Sequence, residues 1–322
     1  MKVKFGVHIE PQLGYDYENS LNIALEAEKL EYESFWCSDH LFLNEKSENQ
    51  NCMDAWTLLA ALAAATKKIR LGTLVTCNSY RHPALLAKIA ASIDLISNGR
   101  LWFGYGAGWK KAEYKAYGYH FPKIQDRMDM MEEALEIIKL LWTEPSPSFS
   151  GKHYSIKNAF SAPKPVQKPH PPILIGGDGE KRTLKAVAKY ADYCNLFLRP
   201  DFEQKLDVLK MHCKDIGRDY DEVGKSLFAQ GWPGIFVTDN EEDLEQHLKW
   251  RSVTLDASKE EVLERAKRNA PGSWVGYPEE LLERFEHLIS LGFDFFQVMF
   301  PGIGEEYIDA QKRFAYLVMK KL

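Results

Sequence analysis

The 322-residue sequence predicts an α/β fold built as a single (β/α)₈ barrel, a TIM barrel, with insertions after strand 4 and around strand 7. Eight short β-rich segments alternate with helical segments, and strands joined by helical crossovers must run parallel. The length fits a barrel of about 250 residues with insertions. A doubly wound open sheet also satisfies this alternation, and two domains would satisfy the length, but eight strands favour closure.

The elements follow from hydrophobic periodicity and from start and stop signals. The helix at 16–30 places Ile23, Ala27 and Leu30 on one face, and the helix at 82–97 has Pro83 in its first turn and Asn98 at its end. The predicted strands are residues 3–9, 34–39, 69–76, 101–106, 172–176, 193–198, 227–237 and 294–300. The predicted helices are residues 16–30, 53–65, 82–97, 125–142, 181–190, 202–216, 279–291 and 305–319.

Two segments interrupt the alternation. Residues 144–172 contain seven prolines and a short predicted hairpin at 149–154, and strand five follows at once, so we interpret them as an insertion and not as a linker. The charged, helix-like residues 240–275 are a second predicted insertion. Residues 1–322 are therefore predicted to form one domain.

Composition and charge exclude several classes of partner. The net charge of −5 and the lack of a long basic run argue against nucleic acid and against an anionic membrane surface. No segment approaches about 18 consecutive apolar residues, and the first residues lack the apolar region of a secretory signal. The five cysteines are scattered without a C-x-x-C pair, which is typical of a reduced cytosol. We therefore expect a cytoplasmic protein with a small-molecule substrate.

Active sites of such barrels lie on the loops after the strands, so the strand ends are the first place to look. Strand two ends with Asp39 and His40, which could bind, orient or protonate a ligand near neutral pH, although a strand end that caps the next loop explains the same pair. After strand three, Arg81 or His82 could meet an anion. A plain buried strand followed by a capped helix is an equally good interpretation of that segment.

Glycine-rich turns follow strands four and five. Residues 104–109 fail the G-x-G-x-x-G dinucleotide fingerprint because Trp109 stands at its last position, so glycine here would let the backbone approach a ligand or make a tight turn. Residues 175–180 precede a helix, where free N–H groups form a phosphate site to which Thr183 could add a hydroxyl. A structural turn accounts for this second segment equally well.

Other chemistries find little support. Strand one offers only His8 and Glu10 as metal ligands, and the other histidines are scattered, so we predict no metal site. The sequence has neither a G-x-S-x-G elbow nor a P-loop, which argues against a serine hydrolase and a P-loop nucleotide site.

An ordered set of short segments identifies a family resemblance: SDH at 38–40, LGTLV at 71–75, YRHPA at 80–84, SNGR at 97–100, GYGAGW at 104–109 with Glu113 and Gly118, FSGKHY at 149–154, PKPVQ at 163–167, PPILIGG at 171–177 and YAD at 190–192. By these segments the chain resembles the bacterial-luciferase-like flavin and deazaflavin oxidoreductases, nearest the subgroup that uses coenzyme F420, a deazaflavin. The resemblance spans most of residues 1–200 and thins beyond them to residues 291–294 and the strand that follows.

The resemblance implies a coenzyme site at the mouth of the barrel. It implies that Asp39 and His40 contact the coenzyme edge or the substrate. Together with the strand-end position of this pair, it leads to the hypothesis that Asp39 holds the coenzyme and that His40 donates or accepts a proton or orients the substrate. It also implies a non-prolyl cis peptide near Leu74 and Val75 behind the ring. Further implied coenzyme contacts come from Thr76, Gly106, Ala107 and Gly108, and phosphate contacts from Gly176 and Gly177.

The chain departs from the family at one position. The F420-dependent sugar-phosphate dehydrogenases carry a catalytic glutamate directly after the glycine matching Gly108, whereas this chain has Trp109. We therefore do not expect oxidation of a sugar phosphate. We expect a more apolar substrate pocket instead. Glu113 lies one helical turn further on, and the sequence does not assign it the missing role.

Three functions remain open. The first is hydride transfer between F420 and a small organic substrate, the second a reduced-FMN-dependent monooxygenase on the same scaffold, and the third a non-catalytic flavin-binding protein. The basic residues Lys110, Lys111 and Lys115 could attract an anionic coenzyme tail, or they could form a solvated helix face. The resemblance implies a homodimer or higher homo-oligomer, with residues 53–65 and 86–96 as candidate contact helices.

Overall fold

A computed structural model describes residues 2–199, 201–229, 234–254, 261 and 274–322. Eight parallel strand positions form a closed barrel with helices between them, as predicted. The barrel strands are β1 (Lys4–Ile9), β2 (Ser34–Cys37), β3 (Arg70–Thr73) continued by β4 (Thr76–Cys77), β5 (Leu101–Gly106), β8 (Ile173–Gly176), β9 (Tyr193–Phe197), β10 (Gly224–Ala229) and β13 (Phe295–Val298).

Closure is visible in the strand pairing. The sheet runs in the order β3-β2-β1-β13-β10-β9-β8-β5-β4, and a further pairing of β3 with β5 joins its two ends. In the β3–β5 pairing Leu71 lies beside Leu101. On the other side of the barrel β1 pairs with β13, where Gly6 lies beside Gln297. Because every barrel strand has two neighbours, the carboxyl ends of all strands meet at one mouth.

The helices surround the barrel at nearly the predicted bounds. They are α1 (Tyr17–Lys29), α2 (Ala55–Ala65), α3 (Pro83–Ile96), α4 (Lys111–Ala116), α5 (Ile124–Thr143), α6 (Thr183–Tyr190), α7 (Phe202–Asp215), α8 (Glu241–Thr254), α9 (Pro278–Ser290) and α10 (Glu305–Leu317). The Asp16 side chain caps α1 by accepting from Asn19 N, and α3 starts at Pro83. After α3 the chain turns through Asn98 (φ 57°) and Gly99 (φ 82°), the left-handed stop that the sequence predicts.

The core lies between the barrel wall and the helices. Phe103 of β5 packs edge-on against Trp142 of α5 at 5.0 Å between ring centroids, and both are fully buried. Phe5 of β1 contacts Phe285 of α9 in the same geometry at 5.2 Å. Burying such a ring contributes roughly 1.5–3 kcal/mol, so these contacts fix the helices on the barrel that positions the mouth.

Three features differ from the sequence prediction. Strand three is interrupted, because the Leu74–Val75 peptide is cis and separates β3 from β4. The end of predicted strand seven is wrong: β11 (Phe236–Val237) leaves the barrel and pairs with β12 (Val275–Gly276) in a separate small sheet. Helix α4 follows strand four where the sequence suggested a helical turn but gave no helix bounds, because six residues are too few to show helical periodicity.

The two segments predicted as insertions are described to different extents. In the first, β6 (Phe149–Ser150) pairs antiparallel with β7 (Ser155–Ile156), so the hairpin is present. In the second, α8 is helical, whereas residues 255–260 and 262–273 lie outside the described residues. None of the helices in the described part of the chain combines the length and apolar character that crossing a membrane requires.

Candidate active site

A cavity of about 570 Å³ opens at the mouth of the barrel. All the residues that the resemblance assigns to the coenzyme or to proton transfer contribute to its wall: Asp39, His40, Leu74, Val75, Thr76, Gly106, Ala107, Gly108, Gly176 and Gly177. They come from the ends of β2, β4, β5 and β8 and from the cis peptide. The barrel thus gathers side chains that are far apart in the sequence.

In one wall of the cavity two glycines pack against a single valine. A Cβ atom on Gly106 would lie 2.8 Å from Val75 Cγ2, and a Cβ on Gly176 would lie 2.9 Å from Val75 Cγ1. Both distances are shorter than real carbon contacts allow, so these two positions need glycine while Val75 stands between them. The cis Leu74–Val75 peptide, an expectation from the resemblance that the structure bears out, places Val75 there.

Asp39 is buried and turned toward the protein. Its carboxylate accepts from Cys77 N at 3.0 Å and from Arg81 Nη1 at 2.8 Å. Burial raises the pKa of Asp39 to about 6, against the lowering effect of Arg81 and the Cys77 N–H. The arginine also pairs with Asp54, and the His82 side chain caps α3 through Ala84 N, so both residues that sequence reasoning offered to an anion are engaged within the fold.

His40 meets Glu113 at the rim of the cavity. Its Nδ1 lies 3.1 Å from each Glu113 carboxylate oxygen, although the two residues are 73 positions apart. The histidine side chain is 21% exposed and the glutamate side chain 1%. The Trp109 ring stands edge-on to the imidazole, with the centroids 5.7 Å apart. We call His40 and Glu113 the outer pair.

Several donors converge on the Glu113 carboxylate besides His40. Tyr80 Oη donates at 2.6 Å, Leu41 N at 2.9 Å and Lys110 Nζ at 3.1 Å. Burial alone would raise the pKa of Glu113, but the hydrogen bonds from His40 and Tyr80 outweigh it and lower the pKa to about 2. Glu113 is therefore a carboxylate at neutral pH. Lys110 is part of this cluster and does not lie on a purely solvated helix face.

A second histidine–carboxylate pair lies deeper, at the end of β1. His8 Nε2 lies 3.2 Å from Glu10 Oε1, and Gln12 Nε2 donates to the other Glu10 oxygen. His8 is fully buried against the Phe228 ring, 4.5 Å between centroids, whereas Glu10 lines the cavity. Burial raises the pKa of Glu10, yet hydrogen bonding to His8 prevails and lowers it to about 2. We call His8 and Glu10 the inner pair.

The glycine-rich turn after β8 forms the far side of the cavity. Gly177 has φ +120°, and the turn leads to α6, which begins at Thr183. Arg199 lines the same wall and pairs with Asp178 at 3.1 Å. A groove of about 500 Å³ adjoins this wall and contains Lys181, Arg182 and Lys205. Free N–H groups at a helix start favour an anion, but the Gly177 N–H itself donates to Asn195 O at 3.1 Å.

Sequence reasoning missed part of the wall. Glu10 ends a strand, as Asp39 does, and could have been found by that signal, and Glu113 was noticed without a role. The wall residues that no sequence pattern selected carry no local signal, because barrel closure sets which side chains face the cavity: Cys77, Ile124, Met128, Met131, Asn195, Phe197, Arg199 and Phe228. Ser38, Tyr80, Asp178 and Gly179 lie within segments singled out from the sequence, and Lys110 was a candidate for a coenzyme tail.

One group outside the cavity has metal-ligand atoms in reach of one another. Atoms of Asp126, Asp129 and His153 lie within 4.8 Å of each other on α5 and the hairpin. Lys152 pairs with Asp126, and Arg182 with Asp129. Since both carboxylates already have cationic partners, this group is explained as surface ion pairing.

Comparison with known proteins identifies a family and several relatives that this chain resembles. A model of the luciferase-like monooxygenase family matches residues 2–295. The chain is 26% identical over 328 positions to the F420-dependent glucose-6-phosphate dehydrogenase of Amycolatopsis mediterranei, covering 93% of this chain and 92% of the relative. It is 31% identical over 169 positions to the FMNH2-dependent dimethylsulfone monooxygenase of Pseudomonas putida, covering 52% of this chain and 46% of that protein.

A solved structure shares the whole fold. An F420-dependent secondary alcohol dehydrogenase in complex with an F420-acetone adduct superimposes with a TM-score of 0.77, covering 99% of this chain and 98% of that chain. The two sequences are 22% identical, so this likeness concerns the barrel and not the substrate.

Proposed function

Because the chain belongs to the luciferase-like monooxygenase family, we propose that it is an oxidoreductase that transfers a hydride between coenzyme F420 and a small organic substrate. The full-length match to an F420-dependent dehydrogenase supports the coenzyme, and the observation that supports its position is the wall in which Val75 packs between Gly106 and Gly176. A side chain at either glycine would displace Val75, which would lie behind the ring of the coenzyme.

The residues present fit the coenzyme in size and in chemistry. The volume of about 570 Å³ lies within the range of roughly 300–1,000 Å³ typical of ligand cavities. Leu74 and Val75 would lie behind the ring, and Thr76, Gly106, Ala107 and Gly108 would contact its edges. Gly176 and Gly177 would let the phosphate approach the backbone near the start of α6. In the adjoining groove Lys181 would attract the anionic tail, since Arg182 and Lys205 there are already paired with carboxylates.

The chain's own residues would exchange the proton and position the coenzyme and the substrate. When bound, F420 would supply the capacity to give or take a hydride. His40 would exchange a proton with the substrate, and Asp39, held by Arg81, would keep the Thr76–Cys77 segment in place at the coenzyme edge. Trp109, which is 70% exposed beside His40, would offer an apolar surface to the substrate. General acid–base transfer of this kind contributes roughly 10²–10⁴-fold to a rate.

The first experiment is a titration of the purified protein with F420 and, separately, with FMN, followed by fluorescence and absorbance. Binding of F420 at micromolar concentration or below, with weak FMN binding, is the expected result. Turnover is then sought across a panel of small alcohols and carbonyl compounds, because these are the substrate classes that give or take a hydride. Preference for FMN, with oxygen uptake coupled to product formation, would replace this proposal with the monooxygenase function. The 31% identity to the FMNH2-dependent enzyme supports that second candidate.

A matched pair of variants tests where the phosphate binds. Gly177 and Gly217 both have positive φ, +120° and +72°, so an alanine strains the backbone at either position. Only Gly177 lies at the cavity. We expect Gly177→Ala to weaken F420 binding at least roughly tenfold, about 1.4 kcal/mol, and Gly217→Ala to leave it unchanged. Equal affinity in both variants would place the phosphate elsewhere.

A further inference from the structure

The Glu113 carboxylate constrains the proton of His40. An ionised carboxylate only accepts hydrogen bonds, so the Nδ1 atom that lies 3.1 Å from both of its oxygens must carry hydrogen. In a neutral imidazole the second nitrogen, Nε2, is then the unprotonated one. Among the described residues, Nε2 has no protein hydrogen-bond partner, and His40 lines the cavity.

The surroundings of Glu113 hold this arrangement firmly. The glutamate side chain is 1% exposed, and its carboxylate accepts hydrogen bonds from Tyr80 Oη and from the backbone N–H of Leu41, the residue directly after His40. The same carboxylate therefore fixes both the ring and the chain segment that carries it. Because Glu113 is engaged by these donors and ionised, it is not available to supply a proton to a substrate.

We propose that Glu113 is a positioning residue that fixes the proton of neutral His40 on Nδ1 and presents Nε2 as the atom that exchanges a proton with the substrate. In one direction a substrate O–H bond breaks and its proton forms an N–H bond at Nε2, and Glu113 balances the resulting imidazolium charge. In the other direction the Nε2 proton passes to the substrate oxygen and the ring returns to its Nδ1–H form. The use of Nε2 in turnover rests on the proposed function, whereas the position of the proton does not.

The test measures that position directly in the protein without coenzyme or substrate. The imidazole ¹⁵N shifts of His40 are recorded by NMR at a pH high enough to hold the ring neutral, and the signal is assigned by its loss in His40→Ala. The expected wild-type spectrum shows hydrogen on Nδ1. In Glu113→Gln, whose amide can donate as well as accept, the Nδ1–H population should fall. Tyr80→Phe, which removes a different donor to Glu113, should leave the tautomer unchanged.

The outcomes separate this inference from the proposed function. A wild-type ring with hydrogen on Nε2 would overturn the inference without any variant, as would an unchanged Nδ1–H population in folded Glu113→Gln and Glu113→Ala. If the tautomer shifts, Glu113→Gln should lower kcat at least roughly tenfold with an unchanged Kd for F420. A shifted tautomer with unchanged kcat would leave the positioning established and remove His40 from the mechanism.

Discussion

The outer pair and the inner pair contain the same two residue types but differ in which member is exposed at the cavity. In the outer pair the His40 side chain is 21% exposed while Glu113 is 1% exposed. In the inner pair the His8 side chain is 0% exposed and Glu10 is 12% exposed. Both carboxylates have a pKa lowered to about 2, so each is charged at neutral pH.

This difference in burial separates two chemical roles. Where the imidazole faces the cavity, its free nitrogen can exchange a proton with a ligand. Where the carboxylate faces the cavity, its charge is fixed and can attract a hydrogen-bond donor on a ligand but cannot supply a proton near neutral pH. A histidine and a carboxylate within hydrogen-bond distance are thus not sufficient to identify a proton-transfer site. Whether such a pair can transfer a proton depends on which of its two members contacts the ligand.

The largest expected effect tests the outer histidine. His40→Ala should lower turnover with an alcohol substrate by roughly 10²–10⁴-fold, because it removes the exposed proton-exchanging group. The Kd for F420 should change little, since the wall of Val75 and the turn at Gly177 remain. Stopped-flow absorbance gives the turnover and fluorescence titration gives the Kd. His287→Ala, on an exposed part of α9, is the control and should match the wild type. Unchanged turnover in His40→Ala would contradict the proton role.

The next effect is the pH dependence of the stability that the charge of Glu113 in the outer pair contributes. The pKa of Glu113 is about 2 in the folded protein and about 4.3 in an unfolded chain, so its contribution to stability is full above pH 4.5 and is lost as pH falls toward 2. The contribution is about 3 kcal/mol over that window. Urea unfolding of wild type and Glu113→Gln at pH 7, 5, 4 and 3 should show a difference that shrinks in acid. A constant difference would mean that the charge of Glu113 does not stabilise the fold.

The smallest effect concerns the inner pair. Glu10→Ala would remove the acceptor of the buried His8 ring, whose Nδ1 already has no hydrogen-bond partner among the described residues. Leaving such a group unsatisfied should cost about 1–3 kcal/mol in the free energy of unfolding. Asp309→Ala removes an exposed carboxylate paired with Lys312 and should cost less than about 0.5 kcal/mol. Equal losses in urea unfolding would show that the inner pair is no more important than a surface ion pair.

One member of the outer pair could be identified from the sequence, and little of the inner pair. His40 ends a strand beside Asp39 in a recognisable motif, so the sequence identified it as a candidate. Glu10 also ends a strand but was considered only as a metal ligand, because nothing local shows that His8 is buried beneath it. The contact of Glu113 with His40 crosses 73 positions and depends on α4, which is too short to predict.

The sequence by itself determined the order of strands and helices, the position of the glycine-rich turns and the family resemblance. These properties follow from periodicity and from residue types within about ten neighbours, which is the range over which local rules act. The tertiary structure alone decided that Phe236 and Val237 leave the barrel, that Asp39 turns toward Arg81, and which member of each histidine–carboxylate pair is exposed at the cavity. Those outcomes depend on barrel closure, because closing the sheet sets which side chains from distant strands share one interior and which of them remain in reach of a ligand.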